Sequence, residues 1–327
     1  MADGTHIEWT EATWNPITGC SLASPGCTNC YAMKLAGTRL AQHPSRAGLT
    51  QDSRAGPVWT GEVRFNEQWL DQPLRWKRPR MIFVCAHGDL FHESVPDAWI
   101  DRIFAVMALC PQHTFQVLTK RSARMREYLR HRWQEERAPE NWNEAAFYRV
   151  HGAAEALDLH RYQASNIGGC NWWPLPNVWL GVSVEDQQRA DERIPDLLAT
   201  PAAVRWISAE PLLGPVSIID AMWARDAKDL TASIDWVVVG GESGAGARPM
   251  HPDWARSLRN QCAAAGVPFF FKQWGEWYPA FANDYVVDAT SVRETRDIDG
   301  AVVHRIGKKR AGRLLDGVEH NGMPKRS

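Results

Sequence analysis

The stretch MIFVCAHGDLFHESVPDAWIDRIFAVMALC, residues 81–110, holds one complete structural unit. Its first six residues form an unbroken apolar run, too short for a helix and without the alternation of a half-exposed strand. They read as a strand buried on both faces. From Val95 onward the apolar positions recur at helical spacing, and Pro96 suits a first turn, where its missing N–H costs nothing. Between strand and helix lies a polar turn, HGDLFHE, carrying His87, Asp89, His92 and Glu93.

The same order recurs along the chain. TFQVLT (114–119) precedes SARMREYLRHRW (122–133), and VWLGVSV (178–184) precedes DQQRADERIPDLLAT (186–200). AVRWISAE (203–210) leads into PLLGPV; IDWVVVGG (234–241) precedes PDWARSLRNQCAAAG (252–266), and VPFFFK (267–272) follows. EVRFN (62–66) with EQWLDQPLRW (67–76) is a weaker, earlier unit. Buried strands alternating with helices predict an α/β fold with a parallel sheet, a complete or partial (β/α) TIM-type barrel of six to eight strands. An open doubly wound sheet is the runner-up, weakened because no Gly-x-Gly-x-x-Gly follows an early strand. The barrel is expected over 1–275, interrupted by a polar insertion at about 131–176. Residues 276–327 are expected to form an appendage packed on it, with a hairpin around DIDGAVV.

With 37 basic against 38 acidic residues, no global field draws in nucleic acid, so any such contact needs a local patch. The opening MADGTHIEWTEA lacks the basic and apolar regions of a secretory signal, and no apolar run reaches the ~18 residues of a membrane span. A cytoplasmic protein without membrane contact is expected. The seven cysteines, at 20, 27, 30, 85, 110, 170 and 262, are an odd set with three crowded together, which favours metal ligation over a disulfide framework. Tryptophans in expected loops (Trp9, Trp14, Trp172, Trp173, Trp274, Trp277) either pack or line a cleft where bases stack.

In such barrels the chemistry sits at the C-terminal ends of the strands. Those ends carry His87, Asp89, His92 and Glu93; Lys120 and Arg121; Ser183 and Glu185; Ser208 and Glu210; Gly240, Gly241 and Glu242; and Lys272, Gln273 and Trp274. His87 and His92 read either as a metal pair or as ordinary hydrogen-bonding groups. Gly240 and Gly241 read either as turn residues or as a close approach for a cofactor. Lys120 and Arg121 either begin a helix or hold a phosphate or carboxylate. Cys85 and Cys170 are packing or spectator thiols on the bland reading.

GCSLASPGCTNC (19–30) joins the same rim and sets Cys20, Cys27 and Cys30 at C-x6-C-x2-C. A zinc site with a distant fourth ligand, such as His87 or Cys170, is one reading, although only Cys27 and Cys30 form a close pair. Three thiolates also suit a [4Fe–4S] cluster with one iron left open to a small molecule.

The motifs IEWTEATWNPITGC, PGCTNCYA, DLFHE, LTKR, NVWLGVSVE, SAEPLLGP, DWVVVGGESG, FFKQWG and GKKRAGRLLDG run from residue 7 to about 317. In them the chain resembles the phage-associated three-cysteine-motif family, which lies near the radical S-adenosylmethionine superfamily, with spore photoproduct lyase a plausible functional neighbour. The resemblance implies a [4Fe–4S] cluster on Cys20, Cys27 and Cys30 that binds S-adenosylmethionine. Lys120, Ser183, Glu185, Glu210, Gly240, Gly241 and Glu242 would surround that cofactor. It further implies a radical enzyme acting on nucleic acid, most concretely a lyase repairing a DNA photolesion. His87, Asp89, His92, Arg121, Lys272 and Trp274 are then the substrate-side candidates, and Cys85, Cys170 or Tyr31 would return a hydrogen. An external electron donor such as a flavodoxin or ferredoxin is implied. Radical modification of RNA, a nucleotide or a peptide fits the same residues, and a zinc- or cluster-stabilised nucleic-acid-binding module without turnover is the alternative of another class. The chain departs from the superfamily's usual C-x3-C-x2-C spacing. Its aromatic, Tyr31, follows the last cysteine, and its Gly-Gly-Glu element lies late in the sequence.

Overall fold

A computed structural model describes residues 5, 7–130, 142–157, 173–223, 233–280, 287 and 289–325. Seven parallel strands form one sheet in chain order: β1 (Ala12–Trp14), β2 (Met81–Val84), β3 (Thr114–Thr119), β4 (Val178–Ser183), β5 (Val204–Ala209), β6 (Trp236–Gly240) and β7 (Phe269–Gln273). All residues of β2, β4 and β6 are buried, which is why their sequences are apolar without alternation. α1 (Tyr31–Gly37) packs on a separate hairpin of Thr50–Ser53 and Gly56–Trp59, and the outer face carries α2 (Asp97–Ala108), α3 (Ser122–Arg130), α4 (Trp142–Ala156), α5 (Gln187–Leu198), α6 (Ile219–Trp223) and α7 (Pro252–Ala265). Local chemistry sets their ends. The Asp186 side chain caps α5 by accepting from the Arg189 amide, and Gly266 stops α7 in a left-handed conformation at φ 69°.

The sheet is curled into a half-barrel. Trp9, just ahead of β1, sits 4.9 Å from Phe83 of β2, 5.3 Å from Trp206 of β5 and 6.0 Å from Trp236 of β6, between ring centroids. On a flat sheet β2 and β6 would stand roughly 19 Å apart at about 4.8 Å per strand. One indole bridges them only because the concave face closes around it. Trp206 lies across Gly181 of β4, where a Cβ would come within 2.4 Å of the ring, so the narrow interior needs a residue without a side chain there.

The curl stops short of closure, since β1 and β7 are the two edges of the sheet. This is compatible with the partial form of a TIM-type barrel. The β7 edge is covered by the C-terminal segment: the Phe271 amide donates to the His320 carbonyl and the Gly322 amide to the Phe269 carbonyl. Three further strands, Trp277–Pro279, Glu294–Ile298 and Ala301–Arg305, make a separate antiparallel sheet. Asp299 and Gly300, both at positive φ, supply its two-residue turn.

The unit expected over residues 62–76 is not part of the parallel sheet. Arg64–Phe65 pairs antiparallel with Ile17–Thr18, and Glu67–Trp69 and Gln72–Arg75 are single 3-10 turns. Within the segment read as an insertion, α4 packs on the body: Val150 and Ala154 are buried in the main core, and Arg149 donates to Asp101 and the Tyr128 carbonyl. No helix among the described residues is long and apolar enough to cross a membrane.

Candidate functional site

The C-terminal ends of the strands surround one cavity of about 260 Å3. Its wall includes Cys20, Cys27 and Cys30 on one side and Lys120, Ser183, Ser208, Glu210 and Lys272 on the other, above an apolar floor of Ile7, Trp9, Phe83 and Leu118. The apolar floor belongs to the half-barrel core. The polar groups sit one layer higher, where the strands end and water first reaches the interior.

The cysteine loop is tied to four strand ends. The Gly19 amide donates to the His87 carbonyl beyond β2. Ser21 receives the Arg121 guanidinium beyond β3 on both its carbonyl and its hydroxyl, at 3.0 and 2.7 Å. The Gly26 amide donates to Glu185 beyond β4 at 3.2 Å, and a Cβ on Gly26 would press on that carboxylate at 3.0 Å. Asn29 donates to Glu242 beyond β6 at 2.9 Å.

Six cysteines of the described residues, Cys20, Cys27, Cys30, Cys85, Cys110 and Cys262, are free thiols. Burial pushes the Cys20 thiol up to about 12, with Asp89 and the two neighbouring cysteines adding to the shift and Arg121 opposing it. Burial also raises Cys30. Without added positive charge these thiols stay protonated; a metal centre is the kind of charge that would ionise them. Among the described residues no three His, Cys, Asp or Glu side chains are gathered around a single ion. Of the two residues read as a distant fourth zinc ligand, His87 packs against Tyr31 and Cys170 lies outside the described residues. The donor set itself, three thiols sharing a cavity wall, fits an iron–sulfur cluster, which takes each thiolate on a separate iron.

Several residues singled out from sequence have their polar atoms committed to holding the site together, whether or not they line the cavity. Glu185 is fully buried, 2.9 Å from Arg193, and does not line the cavity. Glu242 accepts from Asn29 and from the Arg248 amide, Nε and Nη2, which together hold it below the ordinary carboxylate range despite burial. Asp89 accepts from the Phe91, Lys120 and Arg121 groups and the Thr119 hydroxyl. His92 takes the Ser94 amide on Nδ1, so its Nε2 carries the proton and donates to Ser21 at 2.9 Å. A Cβ on Gly241 would meet the Trp274 carbonyl at 2.0 Å, so close backbone packing requires glycine there, and one on Gly240 would displace the Glu210 carboxylate, 2.5 Å away. Trp274 is buried in the core, its indole donating to the Leu314 carbonyl. Trp9, Trp14, Trp173 and Trp277 are buried too, which removes them as surface stacking platforms; Trp172 and Cys170 lie outside the described residues.

Other residues remain available. Lys120 faces the cavity with no carboxylate within 4.0 Å of its ammonium among the described residues. Lys272 pairs with Glu210 at 3.1 Å, and Ser208 donates to the same carboxylate at 3.3 Å. Cys85 lines the cavity in a left-handed conformation, φ 56°, and burial pushes its thiol up to about 12. A non-glycine residue held there costs about 1–3 kcal/mol, a strain that concentrates at functional sites. Tyr31 also lines the cavity; its hydroxyl donates to the Ala86 carbonyl at 2.6 Å. Asn29 and Arg248 were not singled out from sequence. Asn29 stands between Cys27 and Cys30, and Arg248 follows the Gly-Gly-Glu turn, but the bond that gives them meaning joins residues more than two hundred positions apart.

His87 packs edge-on against Tyr31 at 5.9 Å and does not line the cavity. Burial, helped by the charge of Arg46, pushes its pKa from 6.5 down to about 4. The unfolded chain thus binds more protons between those values, and His87 makes the fold more stable as pH rises from 4 to 6.5. Its imidazole resonances are expected to stay at neutral-ring positions throughout pH 5.5 to 8; a midpoint near the ordinary histidine value of roughly 6.5 would contradict this placement.

The chain belongs to the family described as Protein of unknown function (DUF5131), which matches residues 4–324. No curated protein and no solved structure matches it.

Proposed function

We propose that this DUF5131 protein is a radical S-adenosylmethionine enzyme that acts on nucleic acid, with DNA photolesion repair as its most concrete form. One observation carries the reading: the three free cysteines of the loop share a cavity at the strand ends of a parallel half-barrel with the Lys120 ammonium, the Ser183 and Ser208 hydroxyls and an acid–lysine pair. Cys20, Cys27 and Cys30 would hold a [4Fe–4S] cluster. The chemistry such a cluster would supply, when bound and reduced, is one-electron cleavage of the sulfonium of S-adenosylmethionine.

The chain's own residues would do the rest. Lys120 is placed to hold a carboxylate, and Glu210 and Ser208 to hold an amine or hydroxyls, with Lys272 orienting Glu210. Ser183 adds a hydroxyl on the same wall. The apolar floor keeps water from a reactive intermediate. Cys85 and Tyr31 present protonated S–H and O–H groups, the form that can return a hydrogen. An external low-potential donor, such as a flavodoxin or ferredoxin, would supply the electron.

Support for a nucleic-acid substrate is the short helix α8 (Lys308–Ala311). Lys308, Lys309 and Arg310 are exposed there without a carboxylate partner among the described residues. It ends beside Gly312, whose carbonyl accepts from the Trp274 amide just beyond β7. That places local positive charge near the rim of a nearly neutral chain, the arrangement that draws in a phosphate backbone.

Anaerobically reconstituted protein with dithionite and S-adenosylmethionine is expected to release 5′-deoxyadenosine. On irradiated DNA, lesion loss should be visible by mass spectrometry, with intact DNA unchanged. Cofactor cleavage without lesion loss on any irradiated DNA would reject the repair form and leave RNA, a nucleotide or a peptide as substrate. No cleavage at all would reject the enzyme.

A further inference from the structure

We infer that Arg121 is a positioning residue of the cysteine centre, fixing Cys20 and raising the reduction potential of a cluster bound there, and that it does not contact substrate. The inference rests on the cluster reading above. Arginine has five N–H donors, and at Arg121 all five are engaged. Nε donates to Glu93 at 3.3 Å. Nη1 donates to Asp89 at 3.3 Å and to the Cys20 sulfur at 3.5 Å. Nη2 donates to the Ser21 carbonyl and hydroxyl. The side chain is almost wholly buried, so nothing remains for a phosphate or carboxylate to bind.

Position and charge act together. Asp89 orients the guanidinium and is itself fixed by Thr119 and the Lys120 amide, so the contact to Cys20 is built from the end of β3. Ser21, next to Cys20, is gripped by Arg121 and His92 at once. A cation donating a hydrogen bond to a ligand sulfur stabilises the reduced, more negative state of a cluster over the oxidised one. Two carboxylates temper that effect: Asp89 is buried with the arginine, whereas Glu93 is largely exposed and pairs only at Nε. Neighbouring residues thus divide the work, with the Lys120 ammonium facing the cavity and Arg121 serving the thiol.

The test is a redox titration of the anaerobically reconstituted full chain, followed by electron paramagnetic resonance. Arg121→Gln is expected to shift the midpoint to more negative potential. At a fixed poise the reduced-to-oxidised ratio should fall about tenfold, equivalent to about 59 mV for one electron. Glu93→Gln removes an exposed carboxylate and leaves the arginine charge less balanced, so it should shift the midpoint the other way. Opposite shifts are the signature that loop packing alone does not produce. If Arg121→Gln fails to load iron, Glu93→Gln decides. An unshifted midpoint in every variant that loads iron, against a loaded wild type, overturns the inference. Absence of a cluster in the wild-type chain instead overturns the reading on which it rests.

Discussion

Cys27→Ala is expected to lower the iron bound after anaerobic reconstitution from about four per chain to less than roughly a tenth of that. The broad absorption near ~400 nm and the release of 5′-deoxyadenosine should vanish with it. The argument is one of ligand count. With one protein ligand removed from three, only two of the loop thiolates remain to hold a cluster. Cys27 is buried on the 3-10 turn Pro25–Cys27, where the Ala23 amide approaches its sulfur at 3.5 Å, so its role cannot pass to a mobile neighbour. Cys262→Ala is the matched control. That thiol is buried in α7, away from the cavity, and its loss should leave iron content unchanged. Full iron in Cys27→Ala would remove this cysteine from the site.

Arg193→Met should give the largest loss of stability among substitutions outside the cavity wall, about 3–5 kcal/mol at pH 7. Glu185 is fully buried and Arg193 nearly so; they pair at 2.9 Å, and Arg193 also donates to the Ser183 carbonyl at 2.8 Å. Burial alone would raise the Glu185 pKa, but Lys120 and Arg193 pull it below its ordinary 4.5. In the wild type its contribution to stability is therefore complete above pH 4.5 and is lost as pH falls through the lower folded value. Removing Arg193 leaves the carboxylate buried with much of that pull gone, so its folded pKa should rise above 4.5. The deficit against wild type is then expected to shrink between pH 7 and pH 5, as the carboxyl takes up a proton. Urea melts at the two pH values measure both. A deficit below about 1 kcal/mol at pH 7 would show that the pair is not buried as described. Because Glu185 also holds the Gly26 amide, the same variant should weaken cluster retention.

The units at 81–110, 178–200 and 234–266 could be read from sequence because a doubly buried strand leaves an unbroken apolar run that helix and loop cannot imitate. The first strand has only Ala12, Thr13 and Trp14, too few for any period. Residues 62–76 misled because their apolar spacing is that of a helix, yet Pro73 interrupts them and Arg64–Phe65 finds an antiparallel partner in Ile17–Thr18.

The candidate site was legible at the level of position along each strand, since polar residues at the ends of apolar runs have few other reasons to be there. Direction was not. Lys120 and Arg121 are adjacent in sequence and both line the cavity, yet the guanidinium is spent on Glu93, Asp89, Cys20 and Ser21, while Lys120 has no carboxylate partner among the described residues. Glu185 and Glu210 end neighbouring strands, but Arg193 of α5 claims the first, while the second meets Lys272 at the cavity. The loop tryptophans were open to two readings, packing or base stacking, and the half-barrel spends Trp9 on its own interior beside Trp179, Trp206 and Trp236.

The metal content of the wild-type chain after anaerobic reconstitution tests the account at its centre. About four irons with matching acid-labile sulfide per chain, and a brown protein absorbing near ~400 nm, are predicted. A colourless protein that takes up no iron and retains one zinc would contradict it.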